Sequence, residues 1–297
     1  MERHLVFVHG RAQHGKDAAA LKQEWIISLK AGLAKSGLAL PIPEDRIRFP
    51  YYGDTLDQIV KGASPEEAVG VVVRGLPLSP DEQEFFEEYL AELKKATGIS
   101  DAAVEEAVRG LGPLHRGPLN WEWVQAILSV LDKTVPFASG AGVALFTNDV
   151  FQYLHRTDLR TVMDKGVRSA FLPGSEAVVV SHSLGTVVAY NVLSNETPPA
   201  NLKVPLFVTL GSPLAISAVK RKLQPVSHPQ AVGHWFNAMD ERDVVSLYPL
   251  TSDHFAVSPP IENLTTVDNF TENHHGISGY LSDQQVARRI HAALVAP

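Results

Sequence analysis

Between Val178 and Asn191 the chain reads VVVSHSLGTVVAYN: two apolar runs joined by Ser-His-Ser-Leu-Gly. The first run is short and rich in valine, as a strand covered on both faces must be. The second is long enough for a buried helix. A buried strand and a buried helix joined by polar residues need either a hydrogen-bonding or a chemical reason for the interruption.

The same grammar recurs along the chain. HLVFVHG is an apolar strand ending in a tight turn. Leu21, Trp25, Leu29 and Leu33 then mark one face of a helix that Gly37 closes, and RIRFPYYGD is the next strand candidate. Strand, helix, strand in that order implies parallel pairing through crossover helices. Past residue 145 the alternation returns. LFTNDVFQYLHRTDLRTVMDKGVRSAFL is helical, EAVVVSHS a strand, LGTVVAYNVL a helix, KVPLFVTLGSP a strand and AISAVKRKL a short helix. VGHWFNAMD and NLTTVDNF are further strand candidates, and a terminal helix follows with Ser282 as its cap.

The middle differs. Ser64 and Ser79 each open a Ser-Pro-acid-acid segment, with a Ser cap, a Pro at the first helical position and an acid at the third. In the second, Phe85, Tyr89 and Leu93 share a face with Phe86 and Leu90 beside them. Residues 54–145 therefore read as a helical cap inserted into a single domain of residues 1–297. Its aromatic helix has two roles open to it: a roof over a site, or ordinary core.

Composition excludes several function classes. With 45% hydrophobic and 20% charged residues the chain can bury a large core. A net charge of −7 disfavours a nucleic-acid partner. The absence of cysteine removes thiol catalysis, disulfides and Cys-based zinc sites, and no H-E-x-x-H occurs. The N-terminal apolar run is too short for a signal peptide and no stretch reaches membrane-spanning length, so the expectation is a soluble, cytoplasmic protein.

Ser183 stands at the predicted strand-to-helix turn, with the small residues Ser181 and Gly185 two positions to either side. Such a turn strains the central residue and lifts its side chain above the sheet. Here the sequence resembles the α/β-hydrolase superfamily. Its Gly-x-Ser-x-Gly elbow is matched by SHSLG except that Ser181 replaces the first Gly. The bland alternative is a Ser that merely caps a core helix.

The resemblance implies an α/β-hydrolase fold with a mostly parallel central sheet, and partners in the chain order Ser, acid, His. The acid is expected just past a strand. HWFNAMDERDVVS offers Asp243, whose Asp-Val-Val is similar to lipase-like members, with Asp240 in reserve. The histidine is expected between the last strand and the terminal helix, where His275 precedes Tyr280 by five residues and His274 is the alternative. Oxyanion donors would be the backbone N–H groups of Leu184 and, from the His-Gly turn after the first strand, Arg11. The implied activity is hydrolysis of a carboxylic ester, small or lipid-like, without metal or cofactor.

Two rivals stand beside it. Gly10–Asp17 fits Gly-x4-Gly-Lys, the start of a phosphate-binding loop of a nucleotide hydrolase, but Asp17 follows Lys16 where Ser or Thr should hold magnesium. Asp17 reads better as a first-turn acid of the helix that follows. The other rival is a catalytically inactive α/β-hydrolase that binds a ligand or partner.

Overall fold

The structure, a computed structural model, describes residues 3–10, 17–52, 79–110, 121–136, 138–194 and 202–296. Six strands form one sheet: β1 (Arg3–Val8), β2 (Ile47–Arg48), β3 (Glu176–His182), β4 (Lys203–Leu210), β5 (Val232–Ala238) and β6 (Glu262–Leu264). Their order is β2-β1-β3-β4-β5-β6, and every pairing is parallel. This is an α/β fold with helices flanking the sheet.

The apolar strand runs have a direct structural cause. Successive side chains point to opposite faces, and both faces are covered. Leu5, Phe7, Val178 and Val180 join one cluster with Trp25 and Leu29 of α1 (Ala18–Ala34) and Ile290 of α10 (Gln284–Val295). Val6, Val8 and Val179 join the opposite, larger cluster. Its helices are α2 (Pro80–Thr97), α3 (Asp101–Gly110), α4 (Trp121–Thr134), α5 (Gly140–His155), α6 (Thr157–Ser169), α7 (Leu184–Ser194) and α8 (Ser217–Lys222). A short helix, α9 (Ile277–Leu281), precedes α10. No helix among the described residues is long and apolar enough to cross a membrane.

The stretch after residue 145 is helical as expected, divided into α5 and α6 where Arg156 takes an extended conformation. The first of these, α5, begins at Gly140 and packs apolar positions from Val143 to Leu154. Several local expectations need correction. NLTTVDNF pairs only as far as Leu264; beyond it the backbone turns to other partners, Val267 N–H donating to Met239 O. The terminal helix is capped by Asp283 rather than Ser282. The Asp283 carboxylate accepts from Gln285 N and Val286 N, whereas Ser282 Oγ donates to Ser278 O. Asp17 is likewise the cap of α1, one position before the first turn, accepting from Ala19 N at 2.8 Å.

Other expectations stand as read. Ser79 caps α2 with Pro80 at the first helical position, its hydroxyl accepting from Glu82 N at 3.3 Å. The Ser64 segment lies outside the described residues.

The stripe of Phe85, Phe86, Tyr89, Leu90 and Leu93 is fully buried, with Phe85 against Phe151 and Tyr89 near Phe146, both on α5. It is core packing between helices. Among the described residues of this region, those that line the cavity over Ser183 lie in α5 or just before it, at Ala138, Ser139, Gly142, Val143 and Phe146.

The strand order reverses direction after β1: the chain steps out to β2, then crosses back to β3 on the other side. A crevice opens at the carboxyl ends of the strands at such a point, and ligands bind there in open parallel sheets.

Candidate active site

The register aligns the carboxyl ends of four strands, with Val8 opposite Ser181, His182 opposite Leu210 and Leu210 opposite Ala238. The residues that follow each end, Gly10, Ser183, Gly211 and Asp240–Asp243, therefore gather along one edge of the sheet.

Ser183 sits between β3 and α7 with φ of +57°, a left-handed conformation that costs a residue with a Cβ on the order of 1–2 kcal/mol. Neighbouring groups hold it there. Its N–H donates to Leu210 O at 3.1 Å, and its carbonyl accepts Thr186 N and Thr186 Oγ1 at 2.9 and 2.7 Å. Ser181 is fully buried, and its hydroxyl donates to Val208 O at 2.9 Å. Ser181 thus ties β3 to β4. Gly185 is required for a different neighbour from its own strand: a Cβ there would collide with the carbonyls of Val8 and His9 at the end of β1.

His275 Nε2 lies 2.9 Å from Ser183 Oγ, and His275 Nδ1 lies 2.8 Å from Asp243 Oδ2. A carboxylate only accepts, so Nδ1 carries the hydrogen and Nε2 offers its lone pair to the Ser183 hydroxyl. Asp243 also accepts Tyr280 OH at 2.6 Å and Val245 N at 2.9 Å. Burial alone would raise its carboxyl. The charge and hydrogen bond of His275, with the two further donors, outweigh burial and hold it below the ordinary value. Burial and the Asp243 charge push the Tyr280 phenol well above its ordinary value, so it stays a donor.

The two reserve residues face elsewhere. Asp240 accepts from Arg242 N, Nε and Nη2 and from Asn269 N, at 2.7–3.0 Å. Burial opposes its ionisation, but those donors hold its carboxyl below the ordinary value. His274 Nδ1 donates to Asn269 O at 2.7 Å. His274 has φ of +52°, and this backbone reversal sends two neighbouring rings to different partners.

Residues that carried no sequence signal for this role build the loop under His275. Asn269 Nδ2 donates to Gly276 O at 2.9 Å, Thr271 Oγ1 accepts Gly276 N at 2.9 Å, and Asn273 Oδ1 accepts His275 N at 3.1 Å. His182, the second residue of the Ser-His-Ser turn, donates Nε2–H to the main-chain carbonyl of His275 at 2.7 Å. Burial, then the charge of His275, lowers its imidazole to about 3, so it is neutral.

Leu184 opens α7, so its N–H is among the helix's N-terminal donors that no carbonyl of the same helix accepts. Arg11 and Lys16 lie outside the described residues. The turn before Arg11 is fixed by His9, which donates Nδ1–H to Gly10 O at 2.8 Å and accepts Tyr52 N on Nε2 at 3.2 Å. Burial lowers the His9 imidazole to about 4. Gly10 itself lies against the serine: a Cβ there would stand 2.7 Å from Ser183 Cβ.

A cavity of about 390 Å³ opens over Ser183 and His275, walled by Trp25, Val143, Phe146, Val244, Val245 and Ile277. The apolar part of its wall suits a carbon chain, Glu24, Ser139, Asn273 and Ser278 add polar groups, and Ser183 and His275 bring a hydroxyl and a hydrogen-accepting imidazole nitrogen to it, with the N-terminus of α7 next in the chain after Ser183. That combination can take a proton from an oxygen nucleophile and stabilise an oxyanion beside it.

No family model matches the chain, and no curated protein or solved structure matches it either.

Proposed function

We propose that the protein is a serine hydrolase of the α/β-hydrolase type that cleaves carboxylic esters. The observation that carries this reading is the unbroken line Ser183 Oγ, His275 Nε2, His275 Nδ1, Asp243 Oδ2, with both links at hydrogen-bond length and its Ser183–His275 end opening into a cavity partly walled by apolar side chains.

In this reading His275 removes the Ser183 proton as Oγ attacks the acyl carbon. Asp243 keeps the hydrogen on Nδ1 and stabilises the imidazolium that forms. The Leu184 N–H, and by resemblance that of Arg11, receives the oxyanion. His275 returns the proton to the departing alcohol. It then takes a proton from water as the water attacks the acyl-enzyme, and gives that proton to Ser183 Oγ as the acid leaves. The positive φ of Ser183 supports the reading, because a residue that only capped α7 would not need a strained backbone.

The nucleotide-hydrolase alternative is weakened by Asp17, whose carboxylate accepts Ala19 N at the start of α1, where a phosphate would have to bind. A fluorophosphonate probe with peptide mapping tests the proposal. Stoichiometric labelling on Ser183 is expected. Absence of labelling, with no hydrolysis of p-nitrophenyl esters, would reject it and leave the inactive binding module.

A further inference from the structure

His182 takes no part in the proton transfers just described, yet it is buried beside Ser183 and spends its one hydrogen-bond donor on the segment that carries the base. That segment, residues 271–276, belongs to no helix or strand. Nothing in a regular ladder therefore sets the height of the His275 ring above the sheet. Asn269, Thr271 and Asn273 brace the loop internally, and the Asn269 N–H ties its start to Asp240 past the end of β5; the bond from His182 joins the loop's backbone to the strand that carries Ser183.

The bond from His182 has that geometry. His182 is the last residue of β3, adjacent in the chain to Ser183, so the strand that holds the serine also holds the carbonyl of His275. The rings of His182 and His275 are 4.7 Å apart, and Trp25 and Tyr280 pack against the His182 ring at 6.3 and 5.9 Å. An aromatic enclosure of this kind leaves the imidazole little rotational freedom.

We propose that His182 is a positioning residue. Its neutral Nε2–H holds the His275 backbone at the distance that lets Nε2 reach Ser183 Oγ. This rests on the acyl-transfer reading above. The function lies in the donor, not in charge: a carbonyl oxygen only accepts, so Nε2 must carry hydrogen, and a cation here would oppose the imidazolium that forms on His275 during turnover. Glutamine can present an N–H near the place of Nε2. Asparagine is too short, and phenylalanine keeps the ring and lacks the donor.

The experiment compares His182→Gln, His182→Asn and His182→Phe in p-nitrophenyl ester hydrolysis, normalised to probe-titratable sites. Hydrogen exchange of the 271–277 peptide is followed in parallel. Loss of alignment by about 1 Å typically costs about a hundredfold, so Asn and Phe should fall about that far in kcat with KM nearly unchanged. Gln should recover most of the rate. The 271–277 peptide should exchange faster in Asn and Phe than in Gln. If Phe does not fold, the Gln–Asn pair carries the same contrast.

Equal kcat in all three variants, or a rate loss without faster exchange of the loop, would overturn the positioning role. A wild-type protein that does not label at Ser183 would instead reject the acyl-transfer reading, and this inference with it.

Discussion

Gly211 lies directly against Asp243: a Cβ at Gly211 would stand 3.0 Å from Asp243 Oδ2, and as close to His275 Nδ1. Gly211 also has φ of +54°, where any other residue is strained. Gly211→Ala is therefore expected to do two things at once. It should destabilise by about 1–2 kcal/mol through the backbone, and lower esterase activity at least about tenfold by displacing the Asp–His pair. Urea unfolding and kcat on one short ester check both. Unchanged kcat would show that the contact is not felt by the base.

Ser183 makes the opposite prediction for stability. Its φ of +57° is unfavourable for serine and neutral for glycine. Ser183→Gly should raise stability by about 1 kcal/mol while abolishing probe labelling, and Ser183→Ala should abolish labelling without that gain. A melting temperature no higher for Gly than for Ala would contradict a strained turn.

The two aspartates separate activity from stability. Asp243→Asn should cost on the order of 10³–10⁴ in kcat, because the amide no longer dictates the His275 tautomer. Asp240→Asn removes an acceptor from Arg242 and Asn269. It should lower the melting temperature more than Asp243→Asn does, and the rate far less. Likewise His274→Ala should retain activity that His275→Ala loses. A reversed order within either pair would reassign the role to the neighbour.

Acid should unfold the protein earlier than its carboxylates require. His9 and His182 have folded values near 4 and 3, against about 6.5 in an unfolded chain. Both folded values are depressed, so the stability these groups confer is complete above about pH 6.5 and falls as the unfolded chain takes up protons below it. Between pH 6 and 5 the slope should approach about 1.4 kcal/mol per pH unit for each group. Chemical denaturation at pH 7, 6 and 5 measures it, and His182→Gln should reduce the slope by about one proton. Stability independent of pH over this range would contradict the buried neutral rings.

Acyl selectivity should reside in α5, not in α2. Phe85→Ala and Phe86→Ala remove fully buried rings and should cost about 3–5 kcal/mol of stability with no change in preferred chain length. Phe146→Ala enlarges the cavity beside His275 and should shift the preference toward longer chains. Rates on esters from acetate to palmitate, with thermal melts, distinguish the two. A shifted profile for Phe85→Ala alone would restore the roof.

Read alone, the sequence determined the layered α/β architecture, the apolar cores of the main strands and the position of Ser183 at a strand end; the segments expected to supply an acid and a histidine came from a resemblance. These are local matters: side-chain period, turn chemistry and chain order act within a few residues. Tertiary structure decided which neighbour meets Ser183. Asp240 and Asp243 differ by three positions and His274 and His275 by one, and propensity cannot tell them apart. The choice depends on the left-handed backbone at His274, on Arg242 and Asn269 engaging Asp240, and on Tyr280 reaching Asp243 from a helix far along the chain. The same holds for α2, whose apolar stripe fits a roof or a core equally well until α5 is seen to cover it. The pairing of His182 with the His275 carbonyl spans 93 positions. No period or motif encodes such a bond; it exists only because the parallel sheet aligns its strand ends and the last loop folds back over them.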